Sequence, residues 1–285
     1  MIEHSISPEG VTLKSMQVTM HRFVLAEFNT HKMISKSFRS SRAVPVAKLL
    51  AEVRENPAMP VVWLQNQKGM QGGAVMGDNQ RAECEWIWRK AAVSAADHAE
   101  VLMHKGLHKG WANRLLEPYL YVHGIVTATD LENFYALRCH EDAQPEIRVL
   151  AEAMRACERA STPKMLQPGE WHLPYVTAED RREAYNGPSQ SYSWGMLRAI
   201  SAARCARVSY RLHDGSMPSI DADLALYEAL VGSTPAHASP CEHQGTPDEY
   251  LGNYRNSEWR RQELHGNFRG FIQARKLLPN EYVPG

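Results

Sequence analysis

The stretch Thr30–Pro45, THKMISKSFRSSRAVP, decides how the rest of the chain is read. It follows an apolar run, Phe23–Ala26, that ends at Glu27-Phe28-Asn29. Its 16 residues hold His31, four basic side chains (Lys32, Lys36, Arg39, Arg42) and four serines (Ser35, Ser37, Ser40, Ser41), with no carboxylate among them. A guanidinium donates paired hydrogen bonds to phosphate oxygens, and hydroxyls and backbone N–H groups complete such a cradle. On composition alone the stretch is either a phosphate cradle or a solvated basic loop, and charge runs are more often the second.

Working outward, the whole chain sets limits. It has 285 residues with 32 basic and 32 acidic side chains, a balance that argues against broad nucleic-acid binding through counterion release. Its length allows one large domain or two modest ones. No apolar run reaches the ~18 residues of a membrane span. The opening MIEHSISPEG lacks the apolar core of a signal peptide, so a cytoplasmic location is expected. The five cysteines (Cys84, Cys139, Cys157, Cys205, Cys241) are odd in number and never spaced as CxxC, so small buried thiols are expected rather than disulfides or a zinc site. Thirteen histidines form no HExxH-type cluster.

Periodicity predicts a strand over 11–28 that enters the signature stretch, then a helix from Pro45 to Arg54 with Val46, Leu49, Leu50 and Val53 on one face. Residues 59–82 read as an irregular, Gly/Gln-rich loop. Glu83–Lys105 reads as a long helix with Ile87, Ala91, Ala95, His98 and Leu102 inward and Trp86 and Trp88 in the core. A short helix at Asn113–Pro118 and an apolar run, Tyr119–Val126, follow. Asp130–Ala160 reads as a helix broken at Pro145, with Ile147, Leu150, Ala151 and Met154 as a core stripe. Pro163–Pro174 is turn-rich, Ser201–Tyr210 reads as a helix or a helix-to-strand junction, and Asp221 reads as the cap of a helix carrying Leu224, Tyr227, Leu230 and Val231 inward.

Four motifs resemble the flavin-dependent thymidylate synthases. The family signature is Arg-His-Arg, seven residues, Ser, one residue, Arg; here His31, Ser40 and Arg42 fit, with Thr30 and Lys32 in the places of the two arginines. Asn133–Arg148, NFYALRCHEDAQPEIR, is similar to the helix that ends in Ala-Gln-x-Glu-Ile. Asn113-Arg114 with Pro118 is similar to the segment that supplies another nucleotide-binding arginine. His237–His243, HASPCEH, is similar to His-x-Ser/Thr-Pro-Phe-Glu-His, and Ala206–Tyr210 to the segment before it. That last motif normally precedes the signature; here it follows, as in the longer, permuted members found among phages.

The resemblance implies an α/β fold, a mostly antiparallel sheet flanked by long helices, as a single domain over 1–285 with a signature and nucleotide part (1–175) and a permuted flavin-motif part (195–285). It implies conversion of dUMP to dTMP with methylenetetrahydrofolate as carbon source, FAD as flavin and NADPH as reductant, in a homotetramer. By correspondence Arg138 is the catalytic, base-polarising residue. Ser40, Ser41, Arg42, Arg114, Arg138 and Glu27 are the substrate contacts, and Thr30, His31, Lys32, Asn133, His237, Ser239 and Glu242 the flavin contacts. No metal, nucleic-acid or membrane partner is implied. The chain also departs from the pattern. Glu27 stands where a base-contacting Gln is usual, Phe38 where a Glu often contacts the nucleotide, and Thr127 and Thr129 replace an Asn and an Arg on the flavin side. Gln273 and Arg275 are candidates to compensate. These departures keep two alternatives open: an enzyme making another 5-substituted pyrimidine, such as a hydroxymethyl-dUMP or methyl-dCMP, and a non-catalytic nucleotide-binding homologue.

Overall fold

A computed structural model describes residues 1–186, 193–208, 216, 218–252 and 258–282. The N-terminal part is a five-stranded sheet in the order β3-β4-β2-β1-β5. Strand β1 (Glu3–Ile6) turns into β2 (Thr12–His21), and β2 pairs antiparallel with β4 (Tyr121–Ala128) from Lys14↔Ala128 to His21↔Tyr121. Strand β3 (Ser35–Phe38) adds antiparallel to β4, and the short β5 (Lys164–Met165) is the one parallel neighbour. The mostly antiparallel α/β architecture is the one expected.

The strand predicted over 11–28 is shorter. It ends at His21, and Arg22–Val24 and α1 (Leu25–Phe28) coil instead. The apolar run there serves helical spacing: Val24 and Phe28 are buried four residues apart, while Phe23 is exposed. The signature stretch is also not all loop, because residues 35–38 form β3.

Helix α2 (Val46–Glu55) buries the four predicted residues. It packs on α3 (Asp78–His104) and on α4 (Lys109–Ala112) with the 3-10 turn after it. Helix α3 starts five residues earlier than Glu83, and its predicted face is wrong. Ala92, Ala96 and Ala99 are its buried residues, Trp86 is 60 % exposed, and Trp88 is half-buried with its indole N–H on the Ala58 carbonyl. Alanines let the helix lie close to α2, while Ile87, Val93 and Val101 face out and, of the predicted face, Leu102 packs against this core part-buried. Residues 130–160 form two helices, α5 (Glu132–Arg138) and α6 (Pro145–Arg159). Pro145 starts α6 rather than breaking it, since the first helical position needs no N–H. The stripe Ile147, Leu150, Ala151, Met154 is buried against Met16, Val18 and Met20 of β2.

The C-terminal part contains α7 (Ala178–Asn186), α8 (Ser193–Arg207), α9 (Ile220–Val231) and a two-stranded sheet, β6 (Gly245–Pro247) with β7 (Phe271–Gln273). Ser219, not Asp221, caps α9, its hydroxyl accepting from the Ala222 N–H. Residues 201–207 of the predicted junction are helical, and Ser209 and Tyr210 lie outside the described residues. Inside this part Arg204, 1 % exposed, is held by Asp180 and Asp223 and by the Tyr175 carbonyl. A buried guanidinium is tolerated only when paired and hydrogen-bonded in this way. The five cysteines are free, with Cys205 and Cys241 buried and burial pushing the Cys241 thiol up to about 12.

Candidate active site

Helix α5 and the segment before β3 bring Arg138 against two residues more than 100 positions earlier in the sequence, Glu27 and His31. Arg138, in the last turn of α5, donates from Nε to His31 Nε2 at 3.0 Å and from Nη1 to the Glu27 carboxylate. His31 packs edge-on against Phe134, ring centroids 4.9 Å apart, which fixes the imidazole. Burial, then Arg138 and Lys36, lower the His31 pKa, so the ring is neutral and can accept from Arg138. A guanidinium has five N–H donors. Two are engaged, and the rest of the half-buried Arg138 edge has no partner among the described residues.

Beside this group two ammonium groups share one carbonyl. Lys32 Nζ donates to the Asn29 carbonyl at 3.3 Å, and Lys36 Nζ donates to the same oxygen at 3.4 Å and to the His31 carbonyl at 2.6 Å. Burial first, then Lys32, lower the Lys36 pKa. Neither ammonium makes an ion pair among the described residues, and the Glu242 carboxylate, itself paired with Arg275, only partly offsets the lowering at Lys36. Thr30 is exposed and turns its hydroxyl to the Glu27 carbonyl, and Asn133 is exposed on α5.

A second cluster forms at the far end of the signature stretch. Asn113, fully buried, donates to the carbonyls of Ser41 and Val44, and Lys109 donates to that of Ala43. These bonds pin the loop to α4 and its following turn. Glu117 Oε1 accepts from Ser41 Oγ at 2.7 Å, Arg114 at 2.8 Å and Arg22 at 3.2 Å. Ser40 accepts from the Arg42 backbone N–H, and the Arg42 side chain is exposed beside Gly110. No hydrogen bond or ion pair joins Arg42 or Arg114 to Arg138 among the described residues.

The HASPCEH motif forms a 3-10 turn (Ser239–Glu242) that leans on β3. Glu242 pairs with Arg275, and Gln273 Nε2 donates to the Glu242 carbonyl, to Asn267 Oδ1 and to Ser35 Oγ. His237 is exposed, 3.5 Å from Ser239 Oγ. His243 reaches Ser37 Oγ at 2.9 Å and Thr127 Oγ1 at 2.9 Å. Thr127 continues to Ser15 at 2.6 Å, Ser15 to His172 at 2.8 Å, and His172 to Ser5 at 2.8 Å. This line of hydroxyls and neutral imidazoles crosses β3, β4, β2 and β1 on one face of the sheet. Burial pushes His243 down to about 3 and His172 well below its usual value.

Residues 7–164 match the family described as thymidylate synthase complementing protein. That is more than half of the chain. The chain belongs to that family, the one its motifs resemble. No curated protein matches it. Among solved structures it is similar to a UMP/dUMP methylase, PolB, of Streptomyces cacaoi bound with 5-Br UMP, at 18% identity and a TM-score of 0.44 over 52% of this chain and 68% of that one. The same methylase bound with 5-Br dUMP gives 19% identity and a TM-score of 0.44 over 52% and 66%.

Within this family member, motif spacing picked out Glu27, His31 and Arg138 but not that they touch. It gave no role to Glu117 or Lys36, named Asn113 and His243 only as motif members, and marked Thr127 only as a departure on the flavin side. Lys36 was visible as one of the four cations of the signature stretch. Nothing in the sequence set Glu117 apart from other surface acids. No group of three or more metal-ligating side chains that could hold a metal occurs among the described residues, and no helix there is long and apolar enough to cross a membrane.

Proposed function

We propose that this family member methylates dUMP to dTMP, with methylenetetrahydrofolate as carbon donor, FAD as flavin and NADPH as its reductant. Arg138 carries the reading. As carbon 5 of uracil attacks the carbon donor, negative charge grows on the ring, and a guanidinium fixed beforehand stabilises it without reorganising. His31 and Glu27 fix Arg138 from two sides and leave its remaining donors for the base. Arg42 and Ser40 hold the phosphate by charge-assisted hydrogen bonds, and Arg114 closes on it from α4's end. Ser41 and Glu117 keep that loop in place.

The flavin contacts are His31, Lys32, Asn133, His237, Ser239 and Glu242. The donor set fits an electron-rich, anionic cofactor, since Lys32 and Lys36 converge with no carboxylate between them. When bound, the flavin supplies the hydride. The chain's own residues bind and orient it, with Lys36 taking up the positive charge that Thr30 does not carry. Arg275 and Gln273 hold the Glu242 turn against β3.

A second reading has one observation behind it. Glu27 offers a carboxylate, an acceptor only, next to the base-polarising arginine. It can accept from the exocyclic amine of cytosine as well as from N3–H of uracil. Anaerobic incubation with FAD, NADPH and methylenetetrahydrofolate, dUMP and dCMP in parallel, tests both readings by product mass. A methyl gain on dUMP is expected; reaction only with dCMP, or a hydroxymethyl product, would move the assignment. Arg138→Ala is expected to lower methylation by roughly a hundredfold or more while FAD stays bound. Normal turnover by that variant would remove Arg138 from its role. The reading includes self-association, supported by Trp86, Ile87 and Val101 exposed along α3. A monomer in sedimentation equilibrium would refute that part.

A further inference from the structure

We infer that Glu117 is an internal stand-in for the phosphate of the nucleotide: its carboxylate holds the donors that an arriving phosphate monoester takes over, and Arg22 becomes a phosphate contact in that exchange. This rests on the function proposed above. Three elements aim one donor each at Glu117 Oε1. Ser41 Oγ comes from the signature stretch at 2.7 Å, Arg114 Nη1 from the turn after α4 at 2.8 Å, and Arg22 Nη2 from the 3-10 turn after β2 at 3.2 Å. Oε2 accepts nothing from the described residues. A carboxylate has about four lone-pair sites spread over two oxygens. Oε1 therefore carries more donors than it has lone pairs, while Oε2 has spare capacity. The neighbouring Arg39–Glu52 pair shows how an ordinary brace is made, Nη1 to Oε1 at 3.1 Å and Nη2 to Oε2 at 2.8 Å.

The donors fit a larger anion better. A phosphate monoester offers three strong acceptor oxygens, enough to give each donor its own. Charge points the same way. Arg22, Arg114 and the exposed Arg42 set three guanidiniums against the one Glu117 carboxylate, since Arg42 makes no ion pair among the described residues. The resulting surplus of two positive charges matches the roughly two negative charges that a phosphate monoester carries near pH 7. The loop does not depend on Glu117 alone, because Asn113 and Lys109 hold the carbonyls of Ser41, Ala43 and Val44. What Glu117 adds is the aim of the side chains. It turns two mutually repelling guanidiniums toward one point, and at 21 % exposure it is near enough to solvent to swing out when a phosphate arrives. Arg22 lies in none of the motifs, so only the fold brings it to this point. Its backbone N–H on the Leu120 carbonyl at 2.9 Å fixes the stem.

The test is calorimetric titration of the full chain with dUMP, deoxyuridine and inorganic phosphate, with the thermal melt of each variant as a check on folding. Glu117→Gln keeps the shape and removes the competing charge. It should bind dUMP and phosphate roughly three- to tenfold more tightly and leave deoxyuridine unmoved. In turnover the change should fall on KM for dUMP rather than on kcat. Arg22→Gln should weaken dUMP and phosphate roughly tenfold and leave deoxyuridine unmoved. In the parent, the Nε–H resonances of Arg22 and Arg114 should both shift on adding dUMP, a measurement that needs no variant to fold. A Glu117→Gln protein that melts normally and binds dUMP more weakly would make Glu117 a brace and overturn the exchange. An Arg22 resonance that ignores dUMP, or an Arg22→Gln protein with the parent's affinity, would overturn Arg22 as a contact. A chain that methylates dUMP while both variants bind it as the parent does would retire the exchange alone. A chain that binds dUMP and phosphate with these dependences but methylates no pyrimidine would retire the function alone.

Discussion

The two faces of the sheet are built by different chemistry. One carries Met16, Val18, Met20, Val122 and Val126 and is sealed by the apolar stripe of α6. The other carries Ser5, Ser15, Thr127 and Ser37, and is sealed by His172, ahead of α7, and by His243 from the C-terminal part. Adjacent residues take opposite sides, Val126 to the first and Thr127 to the second. The apolar face tolerates many shapes as long as volume is kept. The polar face is conditional. Each neutral imidazole has one donor and one acceptor, so a proton direction chosen at Ser37 sets every hydroxyl and both tautomers as far as Ser5. A polar seam of this kind fixes one arrangement, because leaving it half-made exposes buried groups with no partner. It also ties the HASPCEH motif to the signature strand β3, through His243 and Ser37.

The largest expected effect follows from protonating the polar face. His243 has a folded pKa of about 3, against ~6.5 when unfolded. The folded value is depressed, so the neutral ring's contribution is complete above pH ~6.5 and is lost as pH falls toward 3. The full difference is on the order of 4–5 kcal/mol for His243, and His172 adds in the same direction. Urea midpoints measured from pH 7 down to 4 should fall steadily. His243→Gln should start lower and fall less steeply. A wild-type midpoint that does not move over this range would show that the imidazoles are not held neutral by burial.

The apolar face should respond to volume instead. Ile147→Ala removes a fully buried side chain facing β2 and should cost about 3 kcal/mol, with no dependence on pH between 7 and 4. If its cost changed with pH as the His243 effect does, the two faces would not be separable.

This contrast also explains what could be read from the chain. The stripe Ile147, Leu150, Ala151, Met154 was legible because one helix writes its own period, and so was the buried face of α2. On α3 the same reading failed. The fully buried contact there is made by Ala92, Ala96 and Ala99, with Leu102 part-buried beside them, and periodicity weighted toward large residues follows Ile87 out to solvent instead. The polar seam was not legible at all. Its members lie 206, 116 and 157 residues apart, and a lone Ser or His carries no period. The candidate site falls between these cases. Motif spacing named Glu27, His31 and Arg138 through resemblance, but their mutual contact depends on α5 ending beside the turn before β3. Glu117 was invisible because its role comes from three partners that only folding assembles.

The finest test exchanges one atom across the sheet. Thr127→Val keeps the shape but removes the hydroxyl that joins Ser15 to His243. Two buried partners then lose a bond, at a cost of about 2 kcal/mol. Val126→Thr, 2 % exposed on the opposite face, buries a hydroxyl among Met16, Met154 and their neighbours and should cost a similar ~1–3 kcal/mol. Because the two side chains point to opposite faces and share no partner, the double variant should show nearly the sum of the two. Partial cancellation would mean that the hydroxyl at 126 finds the seam through a rearranged strand, and that the faces are less distinct than their lining. A neutral Thr127→Val would carry the stronger message. The relay could then be replaced by apolar packing, and its retention beside β3 would point to the proton order it imposes on Ser37 rather than to stability.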